Sequence, residues 1–417
     1  LYKFDNPELP VLQPWVNTDE KNSQRYTLVR NPFFHRVDAR GRQLPYIDTV
    51  EIEIAASGLV PLKTTNGEAD LQARSLGFAD APVLKRSADE AGYEVHLWRE
   101  GSASSVALYP NLNYPDETWR ALFRDVRFRR ALSLAISRKA INKVLYFGLA
   151  EERAVAALEE SPFFDAENAT AWTEFDLERA NALLDEIGLD QRNAAGIRLL
   201  PDGRPAEIVV ETAGERQEVA DALEIIKATW ERAGIRLLAK PLDRNILYNR
   251  SYAGHSMMVA WSGWNNGIPT ADSAPDELAP VNQASFCWPL WGQHYETKGN
   301  LGSAPDLPVA ERLLDLHGQW SSAGSREERA RVWREMLDIH AEQVFTIGTV
   351  ARAPLPVVAK TRLRNVPEDA IFAWDPGAKF GIHRMDEFFF ADEADTAGAP
   401  GAGAGREAAA GREDAPS

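Results

Sequence analysis

The sequence predicts an α/β protein of two lobes with a ligand cleft between them. Three observations carry this. A strand–helix–strand–helix–strand unit occupies residues 208–261. Short period-2 strands fill the first hundred residues. Strand-like character then returns after residue 355.

The elements follow in chain order. Tyr26–Val29 and Val50–Ile54 alternate apolar and polar residues, as half-buried strands do, with a turn at Arg40-Gly41-Arg42 between them. Arg127–Ile136 is helical, its start marked by Asp125. A second helix begins after Ser137 and runs to about Tyr146. Asp176 caps a third helix, and Gly188 stops it. Ile208–Thr212 is a strand. The helix from Gln217 to Ala233 places Val219, Ala222, Leu223, Ile226 and Trp230 on one face and ends at Gly234. Ile235–Ala239, a short helix over 243–252 and Met257–Trp261 complete the unit. Right-handed crossovers make its sheet parallel. Glu327–Gln343 forms the last long helix.

Residues 356–390 are too few for a domain and are expected to complete the sheet of the first block. The expected division is therefore 1–108, a partial lobe I; 109–355, lobe II; 356–390, a return segment of lobe I; and 391–417, a disordered Ala/Gly-rich tail. Two lobes joined by crossing strands imply a hinge.

Composition excludes several functions. The chain of 417 residues has a net charge of −16, which argues against a nucleic-acid partner. One cysteine excludes a disulfide scaffold and a Cys-ligated zinc site. No His pair has i,i+3 or i,i+4 spacing, and no glycine-rich nucleotide loop or nucleophile elbow is present, so neither metal nor cofactor is expected. Leu1–Val16 carries charges and prolines where a signal peptide needs an apolar run, and no stretch of about 18 apolar residues exists. His340 reads as a satisfied structural histidine, and Cys287, between Phe286 and Trp288, as a small buried hydrophobe.

The compositional anomaly is aromatic. Of twelve Trp, four (Trp261, Trp264, Trp288 and Trp291) fall within residues 261–291, directly after a strand of the parallel sheet. Ligands bind off the carboxyl ends of such strands. The four rings are expected to stack on a ligand, with Asn265 and Asn266 supplying hydrogen bonds. Asn111 and Asn113 are expected at the hinge or cleft rim. Asp272 or Asp276 is available for a peptide amino terminus. An enzymatic alternative is a glycoside hydrolase using Asp272 with Asp276 or Glu277. A non-catalytic interaction module without a small-molecule ligand is a further alternative.

The segment from Asn111-Leu112-Asn113 through Leu122-Phe123-Arg124-Asp125-Val126-Arg127-Phe128-Arg129-Arg130-Ala131-Leu132 to Ser137-Arg138 resembles the signature of family 5 solute-binding proteins of ABC importers. Arg30-Asn31-Pro32-Phe33-Phe34, Leu44-Pro45-Tyr46-Ile47-Asp48, Gly67-Glu68-Ala69-Asp70, Phe175-Asp176 with Ala180 to Asp185, Trp288-Pro289-Leu290-Trp291-Gly292 and Ile339-His340-Ala341-Glu342 are similar to further stretches of that family, in the same order. The resemblance implies a periplasmic-binding-protein-like fold of class II type, with mixed sheets. It also implies a periplasmic or extracytoplasmic, non-enzymatic monomer without a cofactor. Such a receptor takes a peptide or oligosaccharide by hinge closure and delivers it to ABC transporter permease subunits. It further implies that the family's first segment is missing before the Arg30 stretch. The serine in Trp261-Ser262-Gly263-Trp264 stands where relatives often carry glycine.

Overall fold

The computed structural model describes residues 8–20, 22–375, 377 and 379–392. The expected disordered tail, apart from Ala391 and Asp392, lies outside the described residues.

The expected helices form, each within two residues of its predicted ends. Asp125 accepts the Arg127 N–H and caps Val126–Leu134. Ser137 caps Arg138–Tyr146, and Asp176 caps Leu177–Glu186. The helix Gln217–Arg232 buries Val219, Ala222, Leu223, Ile226 and Trp230. The Trp230 indole N–H donates to the Leu132 carbonyl at 3.0 Å, which ties this helix to Val126–Leu134.

These helices pack on a five-stranded sheet. Its spatial order is Ile347–Gly348, Ala107–Pro110, Met258–Trp261, Glu207–Thr212, Arg236–Pro241. The last three strands are parallel, as the crossovers require, whereas Ala107–Pro110 runs antiparallel to both its neighbours. Two buried arginines of the signature stretch tie its helices to neighbouring segments. Arg129 donates to the Phe123 and Gln343 carbonyls at 2.5 and 2.9 Å. Arg138 donates to the Ser133, Thr173 and Gly348 carbonyls at 3.0, 3.1 and 3.1 Å. Burial pulls both guanidinium groups down to about 10. Their role here is structural, because every partner named is a backbone carbonyl.

A second, four-stranded sheet has the order Ile371–Phe372, Tyr93–Glu100, Pro354–Lys360, Leu71–Gln72. Pro354–Lys360 pairs antiparallel along the length of Tyr93–Glu100, so late residues lie at the centre of an early sheet. Trp98, Val357 and Phe372 form one core patch there, and Leu84, Tyr93 and Val358 another.

The three-stranded antiparallel sheet Trp15–Asn17, Arg25–Arg30, Thr49–Glu53 departs from expectation. Of its period-2 apolar residues, expected to be half-buried, Tyr26, Leu28 and Val50 are, whereas Ile52 and Ile54 are exposed. The alternation is right for a strand, but burial needs a covering layer, and these side chains have none among the described residues.

The chain passes between the two main sheets twice, at 101–106 and 349–353. The Ser105 N–H donates to the Val350 carbonyl at 2.7 Å, Thr349 N–H to Val106 at 3.1 Å, and Glu100 N–H to Ala353 at 3.0 Å. The two crossings are thus hydrogen-bonded to each other.

Candidate ligand cleft

The first crossing segment, 101–106, anchors the loop that carries the expected site residues. The loop after Met258–Trp261 folds back onto it: Gly263 N–H donates to the Ser104 carbonyl at 2.7 Å, Ala103 N–H to Trp264 at 2.9 Å, and Gly267 N–H to Gly101 at 3.0 Å. A Cβ on residue 267 would sit 2.6 Å from the Gly101 oxygen, so this close approach requires glycine.

The four tryptophans divide. Trp264, Trp288 and Trp291 are only 4, 2 and 1% exposed and belong to one hydrophobic core cluster. Trp264 and Trp288 meet the His340 ring edge-on at 5.3 and 6.0 Å, and the Arg124 guanidinium lies 5.2 Å from the Trp291 ring centre. A stacking ring needs a free face, and these three lack one. Their expected ligand role is corrected to core packing. His340 belongs to the same core. Its Nε2 bonds the Leu278 carbonyl at 2.8 Å, and burial holds the imidazole down to about 4. Cys287 is buried too, its thiol pushed up to about 12.

Trp261 alone stays half-buried at the carboxyl end of its strand, in an aromatic cluster whose other members sequence reasoning missed. Tyr248 and Tyr252 stack at 5.5 Å and 6°. Tyr248 and Phe286 approach Trp261 at 5.7 and 6.0 Å. All four rings are half-buried. The available signal was the i,i+4 spacing of Tyr248 and Tyr252 on the short helix Arg244–Tyr252, which puts both on one face. The Tyr109 hydroxyl donates to the Ser262 carbonyl at 2.6 Å and pins the start of the loop.

Arg244 borders this cluster. Its guanidinium carbon lies 5.1 Å from the Trp261 ring centre, and its Nε donates to Glu215 at 2.8 Å. Glu215 raises the Arg244 guanidinium above its ordinary range, against a smaller opposing effect of burial. A cation in the first turn of a helix opposes the helix dipole. Its place is therefore explained by Trp261 and Glu215, with Asp243 providing the helix cap.

The expected polar residues also separate. Asn111 is buried and donates to the Gly254 and Ser256 carbonyls at 3.0 and 2.8 Å. Asn113 is buried and accepts the Leu290 and Trp291 N–H groups at 3.0 and 3.3 Å. Asn111 holds the turn that precedes Met258–Trp261 and Asn113 the start of the helix Pro289–Glu296, so their expected rim role is corrected to a structural one. Asp272 is paired with Arg329 and Arg326 at 3.1 and 3.4 Å. Asp276 bonds His317 at 2.8 Å. Glu277 accepts the backbone N–H and side-chain amide of Asn265, each at 3.1 Å. Three carboxylates with three separate sets of partners do not form an acid/base pair. Asn265 is exposed and Asn266 half-buried, so both keep surface open to solvent. Among the described residues, no group of three or more His, Cys, Asp or Glu side chains is placed to hold a metal ion, and no helix is long and apolar enough to cross a membrane.

Two sheets joined by two hydrogen-bonded crossing segments, with half-buried aromatic rings at the carboxyl end of a strand, define a two-lobed fold. Residues 2–285 match the model of bacterial extracellular solute-binding proteins, family 5 (middle), and the chain belongs to that family. It is 24% identical over 407 residues to the periplasmic alpha-galactoside-binding protein of Rhizobium meliloti (strain 1021), covering 92% of this chain and 56% of the relative. The chain spans about half the length of the curated relatives it matches. Among solved structures it resembles the oligopeptide-binding protein OppA, with 32% identity, a TM-score of 0.65 and coverage of 94% of this chain and 64% of that one. It also resembles the periplasmic binding protein MelB of Agrobacterium fabrum C58, solved with stachyose. There the identity is 21%, the TM-score 0.69 and the coverage 94% and 58%. These relatives are binding proteins rather than enzymes.

Proposed function

We propose that the protein is the substrate-binding component of an ABC importer, working outside the cytoplasm as a monomer with no nucleic-acid partner. It captures an oligosaccharide or oligopeptide between its lobes and hands it to the permease subunits. Lobe I comprises 1–108 with the return segment 356–390, and lobe II comprises 109–355. The observation that carries the reading is the half-buried cluster of Trp261, Tyr248, Tyr252 and Phe286 at the carboxyl end of the strand Met258–Trp261, whose following loop carries Asn265 and Asn266 and hydrogen-bonds to the first crossing segment. Rings there offer flat faces and amides offer hydrogen bonds. A ligand touching both lobes favours the closed state by the contacts it makes only there. The names of the relatives, an alpha-galactoside binder and an oligopeptide binder among them, support both ligand classes.

The test is a thermal-shift and calorimetry panel of stachyose and a pentapeptide, with a reducing-end assay alongside. A receptor gains Tm through mass action with one ligand and releases no product. Reducing ends accumulating over time would instead establish a hydrolase, and the absence of any Tm gain across the panel would argue against a receptor for either class.

A further inference from the structure

The aromatic cluster lies on one lobe, and the other lobe presents a ring of its own. Trp374 is 62% exposed, the one tryptophan among the exposed large apolar side chains of the described residues. Water contact over so much indole calls for a reason. The chain around it is anchored. Phe372 is buried in the core of the four-stranded sheet beside Trp98 and Val357. Ala373 is buried, and its carbonyl accepts the Lys379 N–H at 2.7 Å.

Gly101, on the first crossing strand, places this turn. Its N–H donates to the Phe372 carbonyl at 3.0 Å, and its own carbonyl accepts the Gly267 N–H at 3.0 Å. A Cβ on residue 101 would stand 2.6 Å from Ile371 Cγ2 and 2.8 Å from Ala373 Cβ, so only glycine allows the contact. One residue of the hinge therefore brings the turn carrying Trp374 next to the loop carrying Asn265 and Asn266. Charges agree with that placement. Asp375 adds to the effect of burial in raising the Glu277 carboxyl above its ordinary range, and Glu277 holds Asn265. Lys379 lies within the influence of Glu100 and of Arg216 from the opposite lobe.

We propose that Trp374 is the first lobe's stacking residue, and that it takes a pyranose ring of a neutral oligosaccharide whose hydroxyls meet the Asn265 and Asn266 amides. This rests on the reading of the chain as a cleft-binding receptor. An indole faces the C–H side of a sugar ring, and amides pair with hydroxyls in both directions. The two carboxylates expected to meet a peptide amino terminus are already engaged: Asp272 with arginines, Asp276 with His317.

The experiment is calorimetric titration of stachyose and of a pentapeptide into the wild-type protein, Trp374→Ala and Trp374→Phe, with Tm measured for each. The expected result is stachyose binding by the wild type, at least a tenfold loss in Trp374→Ala at unchanged Tm, and partial recovery in Trp374→Phe. Stachyose should also shift tryptophan emission in the wild type more than in Trp374→Ala. Stachyose affinity in Trp374→Ala within twofold of wild type would overturn the role of Trp374 alone. Binding of the pentapeptide but not stachyose would overturn the sugar assignment. Binding of neither would overturn this proposal together with the receptor reading beneath it.

Discussion

Trp261 and Trp264 are three residues apart, yet one stays half-buried at a strand end and the other seals a core. The difference begins in the strand Met258–Trp261, where side chains alternate between faces. Met258 and Ala260 point into the helix-packed core, while Val259 and Trp261 join Leu247 and Phe286 on the opposite face. Past the strand, the loop turns against the crossing strand and carries Trp264 into a third environment, with Trp288, Trp291 and His340. Aromatic density in sequence marks a region. Whether a ring stays partly open or becomes a core block is set by where the chain carries it after the strand.

Four variants or conditions break or sharpen that contrast. The largest effect is expected in the core: Trp291→Ala should cost about 3–5 kcal/mol of unfolding free energy, read by denaturant titration. A loss below about 1 kcal/mol would mean the ring is not a core block.

Next comes pH. The unfolded His340 takes up a proton as pH falls through its ordinary 6.5, whereas the folded one stays neutral down to about 4. Stability should therefore drop by about 1.4 kcal/mol per pH unit across that window and be fully present above 6.5. His340→Gln should flatten the slope of Tm against pH between 4 and 6.5; the same slope in both proteins would assign it to other groups.

On the cleft side the expected effects move from stability to binding. Trp261→Ala should leave the unfolding midpoint nearly unchanged and weaken ligand affinity about tenfold, roughly 1.4 kcal/mol. The smallest change is expected for Arg244→Ala. Its pairing with Glu215 is partly exposed, so Tm should move by less than the equivalent of about 1 kcal/mol. A larger loss would make Arg244 a structural clamp on the cluster.

Much of the fold was legible because local signals agreed with tertiary ones. Asp125, Ser137 and Asp176 cap where capping residues should, and the apolar face of Gln217–Arg232 is the face that packs. The exposure of Ile52 and Ile54 was not legible, since period 2 reports which face could be buried and not what covers it. The site was less legible than the fold. Asn111 and Asn113 look like rim amides in sequence, but their partners Gly254, Ser256, Leu290 and Trp291 lie more than 140 residues away. Tyr248, Tyr252 and Phe286 come together only once a helix and a loop fold over the same strand. The turn carrying Trp374 is set by the strand Ile371–Phe372, which pairs with Tyr93–Glu100 from the other end of the chain.

The most direct test of the central claim is calorimetric titration of stachyose into the wild-type protein and into Trp261→Ala. Cleft binding at the aromatic cluster predicts saturable binding by the wild type, with a loss of about tenfold in the variant. Equal affinity in the two proteins, or heat release that never saturates, would contradict it.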